Sequence, residues 1–90
     1  MFVHLGQDTV VDENDIIGIF DLDNATVSAR TRKFLANAEK KGEVINVSFE
    51  LPKSFVVCAR QKSDENKVYI SQISSTTLLK RSEYLENIIY

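Results

Sequence analysis

Ile16-Ile17-Gly18-Ile19-Phe20, followed at once by Asp21-Leu22-Asp23-Asn24-Ala25-Thr26 and then by a stretch from Val27 to Lys41 without Gly or Pro that ends at Gly42, is the passage on which the fold turns. The apolar, β-branched run is too short for an independent helix and reads as a central strand, with Gly18 marking a bulge or a close approach of neighbouring atoms. The Asp- and Asn-rich segment after it offers capping side chains, and Gly42 offers a helix stop. Val27, Thr31, Phe34, Leu35 and Ala38 fall on one side of a helix at about 100° per residue, while Arg30, Lys33, Lys40 and Lys41 fall on another. The spacing predicts one long helix over Val27–Lys41, with a packed face and a basic face. Lys40 and Lys41 in its last turn also complement the helix dipole.

Outward on the N-terminal side, Phe2–Leu5 and Thr9–Val11 read as a hairpin turning through Gly6-Gln7-Asp8, with Gly6 at positive φ, and Asp12–Asp15 reads as the turn into the next strand. On the C-terminal side, Val44–Phe49, Ser54–Ala59 and Lys67–Ile73 read as three further strands. Pro52, which cannot donate to a ladder, places Glu50–Lys53 in the turn between the first two, and Gln61–Asn66 is a polar hairpin loop. Ser74-Ser75-Thr76-Thr77 caps a closing helix in which Leu78, Leu85 and Ile89 form an apolar stripe. The order β-β-β-α-β-β-β-α predicts an α+β fold: a small single domain over residues 1–90, with a largely antiparallel sheet of about five to six strands and two helices.

The chain has 90 residues and a formal net charge of −2. A domain of this size buries only about 60% of the surface its unfolded chain exposes, so assembly with further copies is the expected route to stability. Cys58, the sole cysteine, cannot form an intramolecular disulfide, which points to a reducing, cytoplasmic setting. No apolar run approaches the roughly 20 residues of a membrane span, and no signal-peptide pattern opens the chain.

The charge is segregated. Residues 1–29 hold six carboxylates (Asp8, Asp12, Glu13, Asp15, Asp21, Asp23) and no Lys or Arg, whereas residues 30–41 hold five basic groups against one Glu. Asp21-Leu22-Asp23-Asn24 has the start of a calcium loop but neither its Gly nor its distant Glu, so helix capping is its expected role. One His and one Cys cannot supply a zinc site, and no metal or cofactor is expected. His4 has no neighbouring nucleophile in sequence, and Cys58 sits in the most apolar strand as a small buried hydrophobe with a raised pKa. No enzymatic activity is expected. The candidate site is basic: Arg30, Arg32, Lys33, Lys40 and Lys41 on the first helix, joined by Lys80 and Arg81 on the second if the fold brings the helices together, could meet phosphates.

Val3-His4-Leu5-Gly6, Asp15-Ile16-Ile17-Gly18-Ile19-Phe20-Asp21, Pro52-Lys53-Ser54-Phe55-Val56-Val57 and the stretch from Tyr69 to Arg81 together resemble the RemB (YaaB) branch of the bacterial extracellular-matrix regulator (RemA/RemB) family. The resemblance covers residues 1 to about 81, with 82–90 as the end of the C-terminal helix. It implies a small, cytoplasmic, non-enzymatic protein that controls biofilm-matrix genes, forms homo-oligomers including rings, and touches DNA. The RemA branch places its DNA-contacting arginines in the segment corresponding to Asn14-Asp15-Ile16 and in the turn corresponding to Leu51-Pro52. In this chain those positions hold Asp15, Leu51 and Pro52, which leaves Lys53 and Arg81 as the contacts nearest that pattern. The competing expectation is an oligomeric scaffold that does not touch DNA and docks a protein partner through Ile88, Ile89 and Tyr90.

Overall fold

The strand Ser54–Ala59 is buried over Ser54–Cys58, and the rest of the chain is arranged to cover its two faces. The structure, a computed structural model, describes residues 2–59 and 65–82. Six strands and three helices run in the order β1 (Phe2–Gly6), β2 (Thr9–Asp12), β3 (Ile16–Asp21), α1 (Leu22–Ala25), α2 (Ala29–Lys40), β4 (Val44–Asn46), β5 (Ser54–Ala59), β6 (Asn66–Ser71) and α3 (Ser75–Arg81), with a 3-10 turn at Glu13–Asp15. The α+β class stands. The strands divide between two sheets, however: β1 and β2 form a separate antiparallel hairpin, and the other four are ordered β3-β5-β6-β4.

Three details differ from the sequence expectation. The Ile16–Phe20 strand lies at an edge of the four-stranded sheet and not at its centre, because β5 and β6 take the inner positions. β4 stops at Asn46 and pairs with β6 in parallel, in an otherwise antiparallel arrangement. The single helix from Val27 is two helices. Asp21 accepts from Asn24 N–H (3.1 Å) and caps the short α1, the chain turns through Thr26 and Val27, and α2 restarts after Ser28. Val27, expected on the packed face, is 78% exposed at that corner.

Side chains alternate across a strand, so each residue of β5 chooses one cover. Val56 and Cys58 join Val3, Leu5, Val11, Ile16, Val47 and Leu78 in a core beneath the β1–β2 hairpin and α3. Phe55 and Val57 join Val68 and Ala38 on the opposite face, where Leu22, Ala25 and Leu35 of α1 and α2 also pack. The hairpin is tied to the sheet by one buried bond: Ser71 Oγ donates to Leu5 O at 2.6 Å and accepts from Ile73 N–H at 3.0 Å.

Gly6 sits at φ 124°, a conformation that side chains resist, and a Cβ there would lie 2.8 Å from Gln72 Oε1. Gly18 stands where the β3–β5 register shifts, as a bulge requires, with the Phe20 ring 2.7 Å from where its Cβ would be. Gly42 (φ 72°) closes α2: its N–H donates to Glu39 O, and Glu43 N–H donates to Ala38 O, the paired bonds of a left-handed helix stop. Ser74 caps α3 by accepting from Thr77 N–H. That helix ends at Arg81, with Ser82 extended and buried, so it does not continue into residue 82 as the sequence suggested. Leu85, Ile88, Ile89 and Tyr90 lie outside the described residues. Among the described residues, no helix is long and apolar enough to cross a membrane.

Ser71→Ala leaves Leu5 O buried without its donor and is expected to lower unfolding free energy by about 1–3 kcal/mol. Gly6→Ala, strained in φ and pressed against Gln72, is expected to cost about 1–3 kcal/mol as well. Urea unfolding of each variant against wild type measures both; a loss under about 0.5 kcal/mol at either position contradicts the role assigned to it.

Candidate nucleic-acid interface

All eight sequence-nominated cations are exposed, but they do not form one patch. α2 packs through Leu35 and Ala38 on one face of the sheet, and α3 packs through Leu78 on the other. The four-stranded sheet therefore separates Lys80 and Arg81 from the α2 cations. The fold does not bring the two helices together.

Two of the eight have internal work. Arg32 Nη1 donates to Thr26 O (2.7 Å) and Val27 O (2.9 Å), closing the corner between α1 and α2. Arg81 Nη1 donates to His4 O (3.0 Å), bracing α3 against β1. Sequence reasoning could not separate these from the free cations, because both uses depend on backbone carbonyls brought near by the fold. Lys53 has an exposed side chain on a fixed backbone: its N–H donates to Ser71 O, and its carbonyl accepts from Leu22 N–H.

Arg30, Lys33, Lys40 and Lys41 remain on one stripe of α2, at angular positions within about 100° of one another. From Arg30 to Lys41 the stripe is about 16 Å long at 1.5 Å per residue, equal to about five phosphate steps along a DNA strand. This is the densest outward-facing positive charge in the described structure.

A cluster of carboxylates lies on the side of the sheet away from α2, the side that also carries Lys80 and Arg81. Asp12 and Asp15, with Glu65, Lys67 and the Phe2 and Tyr69 rings, border a hollow of about 760 Å³ between the hairpin and the open end of β5 and β6. Asp12 caps the 3-10 turn by accepting from Asn14 N–H at 2.9 Å. Cys58 also lines the hollow, and burial, reinforced by the negative charge of Asp15, pushes its thiol from 9.0 up to about 12. Among the described residues no group of three or more His, Cys, Asp and Glu side chains could hold a metal. Asp21 and Asn24, which suggested a calcium loop start, are bonded to each other as a helix cap. His4 is exposed on the hairpin, its Nε2 donating to Gln7 O at 2.6 Å across the turn. Leu51 and Pro52 are exposed in the β4–β5 connection, where they present apolar surface and no charge.

A family model described as RemA-like, extracellular matrix regulatory protein A-like, matches residues 2–81 of the chain. The chain is also similar to Extracellular matrix regulatory protein B of Bacillus subtilis (strain 168), with 38% identity over 85 residues that cover 94% of each protein.

The different uses of neighbouring cations are measurable. Arg32→Ala is expected to lower stability by about 1 kcal/mol through the two lost carbonyl bonds, whereas Lys33→Ala stays within about 0.5 kcal/mol of wild type in the same denaturation experiment. Cys58 is expected to resist iodoacetamide at pH 8 in the native protein and to react promptly once unfolded. The folded state holds the thiol proton to about 12 while the unfolded state releases it near 9.0, so Cys58's contribution to stability is complete below pH 9 and is lost as pH rises toward 12. Rapid native-state alkylation, or Cys58→Ser leaving the alkaline fall in stability unchanged, contradicts this assignment.

Proposed function

The chain belongs to the RemA-like family of extracellular matrix regulatory proteins, and on that premise we propose that it is a non-enzymatic, cytoplasmic regulator of biofilm-matrix gene expression that works as a homo-oligomer and contacts DNA through clustered Lys and Arg side chains. Family membership supports the regulatory role. The DNA contact rests on one observation: Arg30, Lys33, Lys40 and Lys41 form an exposed stripe on α2 in a chain whose net charge is −2. Phosphates meet cations here through position and charge and not through base edges, so the stripe supplies affinity and register more than sequence choice.

A chain this close to neutral repels a polyanion weakly overall and attracts it on one face, which orients the approach. A single protomer with a handful of phosphate contacts binds DNA in the range of about 10⁻⁴–10⁻⁶ M at physiological salt. Assembly repeats the stripe and converts later contacts into intramolecular ones, raising avidity without any new chemistry.

One observation favours a second reading, an oligomeric scaffold that leaves DNA alone. The positions corresponding to the RemA-branch arginines carry Asp15 beside the acidic hollow and the exposed, uncharged Leu51 and Pro52. On that reading the C-terminal Ile88, Ile89 and Tyr90 dock a protein partner.

Fluorescence-anisotropy titration of duplex DNA at about 50 and 200 mM salt separates the two. DNA regulation predicts affinity that falls steeply with salt, and Lys40→Ala/Lys41→Ala is expected to weaken binding and reduce the log–log salt slope by about 2 per engaged stripe. An assembled protein that ignores DNA at about 50 mM salt, or binds it without salt dependence, favours the scaffold and overturns direct contact.

A further inference from the structure

The face of the four-stranded sheet that carries α2 is only partly covered. Four strands spaced about 4.8 Å apart are wider than one helix of about 10 Å diameter. α2 lies toward β4, and the short α1 meets the end of β3 and β5. Between β3 and α2 this leaves an apolar hollow of about 330 Å³, with Phe55 and Val57 as its floor and Ile17, Phe20 and Phe34 as its walls. Gly18 makes the hollow possible. The Phe20 ring lies 2.7 Å from where a Cβ on Gly18 would stand, so it folds back along β3 and stacks on Phe55 with ring centroids 5.0 Å apart. That wall is therefore formed before any ligand arrives, and Ile17 beside it is left 62% exposed.

The hollow also has a positive end. Arg30 and Thr31 line it, and both belong to the first turn of α2. Among the described residues the Arg30 guanidinium has no partner. Arg32, the other arginine of that turn, is already taken by the carbonyls of Thr26 and Val27. The first turn of α2 contains no acidic residue, and its N-cap Ser28 makes no side-chain capping bond, so the positive end of the helix dipole is left uncompensated. Thr31, half-buried, adds a hydroxyl that can donate to an anion. An unpaired guanidinium and a helix N-terminus beside an apolar floor fit an anion that carries an apolar body.

We propose that this hollow binds a small aromatic carboxylate, its ring seated against Phe20, Phe34 and Phe55 and its carboxylate paired with Arg30 at the first turn of α2. Size sets the class of occupant. A volume of about 330 Å³ lies at the small end of the roughly 300–1,000 Å³ of ligand pockets, and it is too narrow for a partner helix about 10 Å across. Wall chemistry narrows the class further. The offset stack of Phe20 and Phe55 extends naturally onto a third ring. A compact, strongly hydrated anion such as inorganic phosphate would lose water that these walls cannot replace. A neutral arene would fill the floor and leave Arg30 unpaired.

The probes are 2-naphthoate and its neutral counterpart 2-naphthylmethanol, in equilibrium dialysis against the full chain, which has no Trp to obscure naphthyl fluorescence. Neither assembly nor DNA enters the readout, so this site and the function proposed above fail independently. 2-Naphthoate is expected to bind with a Kd below about 1 mM, and the alcohol about fivefold or more weakly. Arg30→Gln, at an exposed position, should weaken the acid about fivefold or more and leave the alcohol within about twofold of wild type. Phe34→Ala, which removes a wall and no charge, should weaken both probes alike, with circular dichroism melting to check that each variant folds. An absence of naphthoate binding at about 1 mM, or equal affinity for acid and alcohol, overturns the proposal. So does an acid affinity unmoved by Arg30→Gln, or a folded Phe34→Ala that binds both probes as wild type does.

Discussion

Everything in this fold follows from the need to cover β5 on both faces. A central strand reading Ser-Phe-Val-Val-Cys-Ala has apolar side chains on each side of the sheet, so two separate covers are required from a chain of 90 residues. One is generous: the β1–β2 hairpin and α3 enclose Val56 and Cys58, locked by the Ser71–Leu5 bond. The other is thin, a single turn of helix and one three-turn helix over a face four strands wide. Small size therefore has a structural consequence more specific than low stability. It leaves one identifiable stretch of sheet bare, at the β3 edge.

The elements that read clearly from sequence were those governed by local rules. Ser54–Ala59 is legible because an unbroken apolar run bounded by polar residues has few other uses. Gly6, Gly18 and Gly42 are legible because a positive φ or a close approach excludes other residues. The break at Thr26–Ser28 was not legible: periodicity continues across it, and what ends α1 is the Asp21 cap spent on one short turn and the later reach of Arg32 back to Thr26 and Val27. The edge position of β3 was hidden for a related reason. An apolar run predicts burial on both sides, but Ile17 is left exposed by a bulge and by an α2 that lies over β4.

The same division applies to the site. That positive charge gathers on α2 is plain from residues 30–41. Which cations are free to meet a ligand is a tertiary property, because Arg32 and Arg81 look like their neighbours in sequence and differ only in the carbonyls the fold delivers to them. The acidic N-terminal third likewise looked diffuse in sequence, yet the fold collects Asp12 and Asp15 with Glu65 around one hollow on the face away from α2. A near-neutral chain thereby carries a local acidic cluster and a basic stripe on opposite sides of its sheet.

That basic stripe and the bare sheet bear on one another through Arg30. It belongs to the α2 stripe by angle and to the apolar hollow by position. Its guanidinium stands at the rim of that hollow, so away from the hollow the stripe is carried by Lys33, Lys40 and Lys41. Three lysines are a weak DNA site by themselves at physiological salt, where counterion release gives only modest affinity per contact. Assembly would compensate by repeating the lysine stripe from copy to copy. Each copy carries a formal charge of −2, so what assembly would add is avidity from repeated local contacts and not a more positive total.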